Sequence, residues 1–246
     1  TLDQVPFMTL NTYHYGDTNW KDKLTSFNDQ TITYDEIGNP LTYRDGWNFT
    51  WENGRKLATA EKSGYTVSYE YNADGLRTEK TVNGETTKYY YKGSQLLGEE
   101  RDGTTLYYYY DSTGQLIGLN YNGVNYYALR NLQGDVVALT DKNGTKVVSY
   151  VYDSWGRVIS VTGSLKDTLG KDNPFRYRGY YYDEESGFYY IQSRYYDPVT
   201  CRFLNADSKI NSSAGLVGTN VYAYCLNNPI RFVDLNGEYP GQLFDT

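Results

Sequence analysis

The side chains that most often carry chemistry are scarce in this 246-residue chain. Its single histidine, His14, leaves no Ser-His-Asp or Cys-His arrangement except through His14 itself, and no His-rich metal site. Cys201 and Cys225 lack the C-x-x-C spacing of a zinc or redox module, so both are expected to be inert, with one disulfide as the alternative in a secreted protein. No metal cluster is visible and no cofactor is implied. Three stretches, beginning at Asn48, Asn143 and Asn211, fit the N-glycosylation pattern, as an Asn-rich chain does by chance. The pairs Glu99-Glu100 and Glu184-Glu185 read as solvated hairpin tips. What is abundant is tyrosine, 30 residues against 8 Phe and 4 Trp. Aromatic faces stack on sugar rings, so glycan binding is one chemistry on offer. The other reading is structural, with cross-strand aromatic pairs holding register.

Tyrosine joins a large β-favouring ring to a hydroxyl that needs water or a partner, which predicts a sheet wetted on at least one side rather than one dry core. With 23 basic against 30 acidic residues the net charge is −7, which argues against a nucleic-acid or anionic-membrane partner. No window approaches the apolar length of a membrane helix. The chain opens at Thr1 without an initiator Met or a signal peptide, and is expected to be a piece of something longer.

The elements behind this composition are repeats. An aromatic, a short mostly polar stretch and a glycine recur at Tyr34-Asp35, Trp51-Glu52, Tyr71-Asn72, Tyr91-Lys92, Tyr110-Asp111, Tyr152-Asp153 and Tyr182-Asp183. Over the first five the period is about twenty residues. After the glycine comes a basic or polar residue and then an aliphatic one, as in Gly54-Arg55-Lys56-Leu57 and Gly75-Leu76-Arg77. Asp and Asn accept turn conformations and Gly supplies φ > 0, so each unit reads as a β-hairpin. A second turn closes the units at Asn83-Gly84, Asp102-Gly103, Asn122-Gly123 and Asn143-Gly144. Leu129-Arg130-Asn131 breaks the rule, and residues 162–174 read as a loop or lid rather than a domain boundary. Hairpins this small cannot bury their own apolar faces, so they must stack into one continuous sheet that coils, with very little helix.

These units resemble the YD repeats of the Rhs family, over about Tyr13 to Gly237. More specific is the ordered run from Phe175-Arg176-Tyr177-Arg178-Gly179-Tyr180 through Arg194-Tyr195-Tyr196-Asp197-Pro198 to Arg202-Phe203-Leu204-Asn205-Ala206-Asp207. With Asn227-Asn228-Pro229 and Asp234-Leu235-Asn236-Gly237 it is similar to the Rhs repeat-associated core domain. The resemblance, shared by the C component of insecticidal toxin complexes, bacterial polymorphic toxins and animal teneurins, implies an all-β array of hairpins wound into a curved or spiralling partial shell. It implies a hairpin array over 1–174, a core segment over 175–237 continuous with it, and a tail over 238–246.

The role implied is structural: a shell or scaffold fragment of a secreted or surface-exposed bacterial protein that encapsulates or presents a C-terminal effector. Its partners would be the rest of the shell and that effector. A glycan-binding or adhesion module is the runner-up. The one enzymatic reading that the resemblance carries is intramolecular aspartyl autoproteolysis near Glu238, with Asp207 and Asp234 as the carboxylates and Arg194 as orienting group. One ionised and one protonated carboxyl can activate water and protonate the departing amide. In cleaving relatives the core ends Asp-Pro-x-Gly-Leu. Here Leu235 stands for the proline and Glu238 for the leucine, whose charge would have to be desolvated beside two carboxylates. A retained structural turn near Asp234 is therefore the expectation. An open sheet edge is expected to favour edge-to-edge self-association.

Overall fold

The computed structural model describes residues 10–209, 215–238 and 240–242. From Thr33–Tyr34 to Val158–Thr162 the chain forms one 14-stranded antiparallel sheet in which strands that neighbour in sequence neighbour in space. Its turns follow from local chemistry. In the unit that begins at Tyr110, one carboxylate oxygen of Asp111 accepts the N–H groups of Thr113 at 2.8 Å and Gln115 at 3.0 Å, and Gly114 takes φ 80°. Asp35, Asn72 and Asp153 do the same for the second and fourth residues after them. The acidic or amide member of these four repeats is thus a turn former. Asn83-Gly84, Asp102-Gly103 and Asn122-Gly123 form the other turn, with both residues at positive φ. Asn143-Gly144 does not belong with them: it sits inside a turn of the first kind, organised by Asp141.

The aromatic of each repeat has two further roles. A break in register falls immediately before Tyr34, Trp51, Tyr71, Tyr91, Tyr110 and Tyr152. Each such bulge bends the strand and strengthens its twist, which bends the sheet as expected. The tyrosine hydroxyl then reaches back to a backbone carbonyl of the preceding unit: Tyr34 to Leu24 at 3.0 Å, Tyr71 to Leu57 at 2.9 Å, Tyr110 to Leu96 at 2.6 Å and Tyr152 to Val136 at 2.7 Å. Trp51 makes the same tie to Pro40 through its indole N–H at 2.7 Å. The irregular unit at Arg130-Asn131 keeps the turn, with Asn131 accepting from Gln133 and Asp135, and keeps the bulge, but carries an arginine in place of the aromatic tether.

The inner face is drier than the composition suggests. Residues such as Val67, Tyr69, Leu106, Tyr108, Leu119, Leu139 and Val148 pack with Phe188, Tyr190 and Tyr195 into one cluster extending from Leu24 to Leu204. Water meets the outer face, where Tyr90, Tyr107, Tyr109 and Tyr127 are exposed. The core segment does not extend the large sheet. It forms its own four-stranded sheet, Tyr181–Asp183, Phe188–Ile191, Arg194–Asp197 and Arg202–Phe203, whose aromatic side chains pack on the array. Residues 162–174, read as a loop or lid, begin on the last residue of the strand Val158–Thr162 and contain a helical turn, Leu169–Asp172, with Leu169 fully buried. Tyr150 bonds the Gly170 carbonyl at 3.0 Å, while Asp172 receives Arg101 at 2.7 Å and Tyr121 at 2.6 Å. Among the described residues no helix is long and apolar enough to cross a membrane.

Candidate functional site

Two buried carboxylates of the core segment are held by arginines of the array. Asp183 receives Arg77 in a bidentate pair at 2.7 and 3.0 Å and Lys80 at 2.7 Å, all three side chains being buried. The Arg77 guanidinium lies 4.4 to 4.9 Å from the ring centres of Tyr89, Tyr181 and Tyr190. Burial alone would raise the Asp183 carboxyl, but Arg77 and Lys80 outweigh it and hold the group below its ordinary value. Asp197 receives Arg44 at 2.6 and 2.7 Å, together with the hydroxyls of Tyr43 and Thr200. Asp183 and Asp197 sit in Tyr-Tyr-Asp runs and read in sequence like further turn formers. Asp183 instead turns its side chain inward, because its partners lie more than a hundred positions away.

The acidic pairs divide the same way. Glu185 is turned inward against Lys80 at 2.9 Å, and the exposed Glu184 pairs with Arg176 at 2.7 Å. Glu99 is buried and accepts the Tyr181 hydroxyl at 2.9 Å, and burial pushes its carboxyl up to about 6. Glu185 and Glu99 therefore depart from the solvated tips expected, because core segment and array pack on each other there, Glu185 facing Lys80 of the array and Glu99 facing Tyr181 of the core segment.

Arg194, Asp207 and Asp234 do come together. One guanidinium nitrogen of Arg194 lies 2.8 Å from Asp207 and 3.7 Å from Asp234, so the two carboxylate oxygens are no farther apart than those two distances joined. The same guanidinium donates to the carbonyls of Val221 at 3.1 Å and of Gly237, and it covers the Phe203 ring at 3.6 Å. Burial holds Arg194 below its ordinary value against the pull of both carboxylates. Burial raises the Asp234 carboxyl, partly offset by Arg194 and by the amides of the turn that follows. That turn is pinned: the Gly237 N–H donates to Asp234 at 2.8 Å, and a Cβ on Gly237 (φ 75°) would stand 2.5 Å from the Ser193 hydroxyl and 2.6 Å from the Ile191 carbonyl. Leu235 is 72% exposed, and Glu238 meets Lys209 at 2.9 Å. A charge at 238 is thus accommodated by a surface ion pair rather than by desolvation.

The remaining candidates are dispersed. His14 is exposed on the short strand Tyr13–His14, and Cys201 and Cys225 are free thiols, each pushed by burial up to about 12. Asn48 and Asn143 are exposed, while Asn211 lies outside the described residues.

Compared with known proteins, residues 9–230 match the family model described as Teneurin YD-shell. The chain belongs to this YD-shell family. It is 38% identical over 229 residues to the tRNA nuclease WapA of Bacillus subtilis (strain 168), covering 90% of this chain and 10% of that protein. It is 36% identical over 105 residues to the double-stranded DNA deaminase toxin A of Burkholderia cenocepacia, covering 41% and 7%. It is 35% identical over 105 residues to toxin protein Tse5 of Pseudomonas aeruginosa, covering 42% and 7%. Among solved structures it is similar to a chain of the Photorhabdus luminescens Tc holotoxin pore, with TM-score 0.68 and 21% identity over 87% of this chain and 11% of that one. A chain of a TcdB2-TccC3-Cdc42 crystal structure gives TM-score 0.67 at 19% identity, over 93% and 13%. The YD-shell chain therefore spans about a tenth of the WapA relatives it matches, and its fold is that of the toxin shells.

Proposed function

We propose that this YD-shell chain is wall and closing segment of a larger secreted or surface-exposed bacterial toxin, and that it encloses or presents an effector lying beyond residue 246. The observation that carries this reading is that buried charged groups of core segment and array pair with one another, Arg77 and Lys80 with Asp183 and Arg44 with Asp197, locking core segment to array. Groups so paired hold a wall together rather than turn over a substrate. Relatives whose names give different chemistries, a tRNA nuclease and a DNA deaminase, match this chain, which supports a shared scaffold. Limited proteolysis of the full-length protein tests the proposal. The segment after residue 246 should resist cleavage in the wild type and become sensitive in Asp183→Ala, and equal cleavage of both would overturn the reading.

A second reading, carbohydrate binding, is favoured by the outer face. Gly98 lies in register between Tyr90 and Tyr107, and Gly118 between Tyr109 and Tyr127, so that pairs of exposed rings flank two buried glycines, with the Tyr107 ring lying against Gly98. Quenching of aromatic emission by neutral wall saccharides, lost in Tyr107→Ala, would support it. Self-cleavage after Glu238 is favoured by the contact of Arg194 with both Asp207 and Asp234. Leu235→Pro with Glu238→Leu should then yield a cut chain, and Asp207→Asn should abolish the cut.

A further inference from the structure

The turn that ends the core segment contains an Asn-Gly pair, Asn236-Gly237, whose surroundings differ from those of the other Asn-Gly pairs. The Gly237 N–H donates to Asp234 Oδ1 at 2.8 Å. The carbonyl of Asn236, which shares the peptide unit with that nitrogen, accepts both the hydroxyl of Ser193 at 2.6 Å and the Ser193 N–H at 3.3 Å. The side-chain carbonyl of Asn236 accepts the Glu238 N–H at 3.2 Å, which folds the exposed amide over its own following peptide. Gly237 presents a nitrogen next to a Cα without a side chain, and the packing against Ser193 and Ile191 leaves no room for one.

We propose that Asn236 is a site of intramolecular deamidation, driven by the fold, with Asp234 as the base. The Asp234 carboxylate is within hydrogen-bond reach of the proton it removes from the Gly237 nitrogen. As that proton leaves, negative charge moves onto the Asn236 backbone oxygen, where the two Ser193 donors receive it. The nitrogen forms a bond to Asn236 Cγ, whose carbonyl is polarised by the Glu238 N–H. The Cγ–Nδ2 bond breaks, the proton held by Asp234 passes to the departing nitrogen, and ammonia leaves a succinimide. Water then opens that ring to aspartate or isoaspartate. The burial that raises the Asp234 carboxyl makes it a better base than an exposed one.

Of the four other Asn-Gly pairs, at 53, 83, 122 and 143, those at 83 and 122 provide internal comparisons. The side-chain carbonyl of Asn83 is tied to the Thr66 N–H at 2.8 Å, and that of Asn122 to the Thr105 N–H at 2.8 Å, so both amides are directed to a neighbouring strand and have no adjacent carboxylate on the following nitrogen. At 236 the product adds a carboxylate two residues from both Asp234 and Glu238, and the iso form lengthens the backbone of a turn that Arg194 and Ser193 hold closed. A timed loosening of the last core turn follows from the chemistry. That this frees an effector rests on the shell reading, whereas the modification itself does not.

Peptide mapping by mass spectrometry during incubation at neutral to mildly alkaline pH tests it. In the folded chain Asn236 should convert faster than Asn83 and Asn122 on the order of a hundredfold, and in denaturant the three should react alike. Ser193→Ala and Asp234→Asn should each slow position 236 by about tenfold or more with the other two sites unchanged. Ser193→Ala and the folded-to-denatured comparison decide the matter if Asp234→Asn fails to fold. Conversion at 236 no faster than at 83 and 122 in the folded chain, or chain cleavage at 236 without deamidation, would overturn the proposal.

Discussion

Replacing Glu99 by glutamine should make the protein more stable at neutral pH. Glu99 lies under the core segment, facing Tyr181, Tyr89 and Tyr108, with Lys80 and Arg77 near enough to matter and Asp183 and Glu185 beyond them. Its carboxyl is pushed from the ordinary 4.5 to about 6, burial outweighing the pull of Tyr181 and Lys80. Because the folded value exceeds the unfolded one, protonation favours the folded state. The benefit is complete below pH ~4.5 and is lost as pH rises through ~6. At pH 7 the ionised group therefore costs about 2 kcal/mol relative to its protonated form. Glutamine mimics that protonated form and keeps an acceptor for the Tyr181 hydroxyl. Urea unfolding of wild type and Glu99→Gln across pH 4–8 should show a gain near 2 kcal/mol at pH 7, or about 4–8 °C in Tm for a chain of this size, shrinking toward zero below pH 4.5. A variant that is less stable at pH 7, or a difference that does not change with pH, would refute the argument.

Other perturbations sort the interactions by size. Asp183→Ala strands Arg77 in the core, leaves Lys80 with Glu185 alone, and should cost about 3–5 kcal/mol in urea unfolding. The wild type should lose the Asp183 contribution only below the ordinary carboxylate range, since its folded value is depressed. Tyr110→Phe removes one tether and should cost about 1 kcal/mol, whereas Tyr107→Phe on the outer face should stay within about 0.5 kcal/mol. The edge strand Val158–Thr162 has one unpaired side, so sedimentation should show concentration-dependent association that Ile159→Lys weakens.

The hairpins were legible because their chemistry is local. Asp111 and Gly114 lie close enough in sequence for a turn to be read directly, and the aromatic beside them marks the bulge. Asn143-Gly144 deceived because Asp141, two positions earlier, claims the turn first. The buried pairs were not legible. Asp183 looks like Asp153 until Arg77 arrives from the array, and Glu99 looks like Glu100 until Tyr181 covers it. The two members of each of those pairs are distinguished by contacts spanning tens to more than a hundred residues. Arg194, Asp207 and Asp234 were reached through resemblance alone, since no spacing of theirs brings them together without the fold. The back-bonding of Tyr71 and Tyr110 carries a signal, the recurrence of a hydroxyl-bearing ring at one position of the repeat, but composition leaves water and a protein partner equally open to those hydroxyls.

Buried arginine–carboxylate ties make core segment and array one wall. Native-state hydrogen exchange of the Glu85–Lys92 and Phe188–Ile191 strands measures this directly, in the wild type and in Asp183→Ala. The two strands should open with the same free energy in the wild type, and both should lose protection together in the variant. Independent opening, with Phe188–Ile191 exchanging while Glu85–Lys92 stays protected in both proteins, would contradict it.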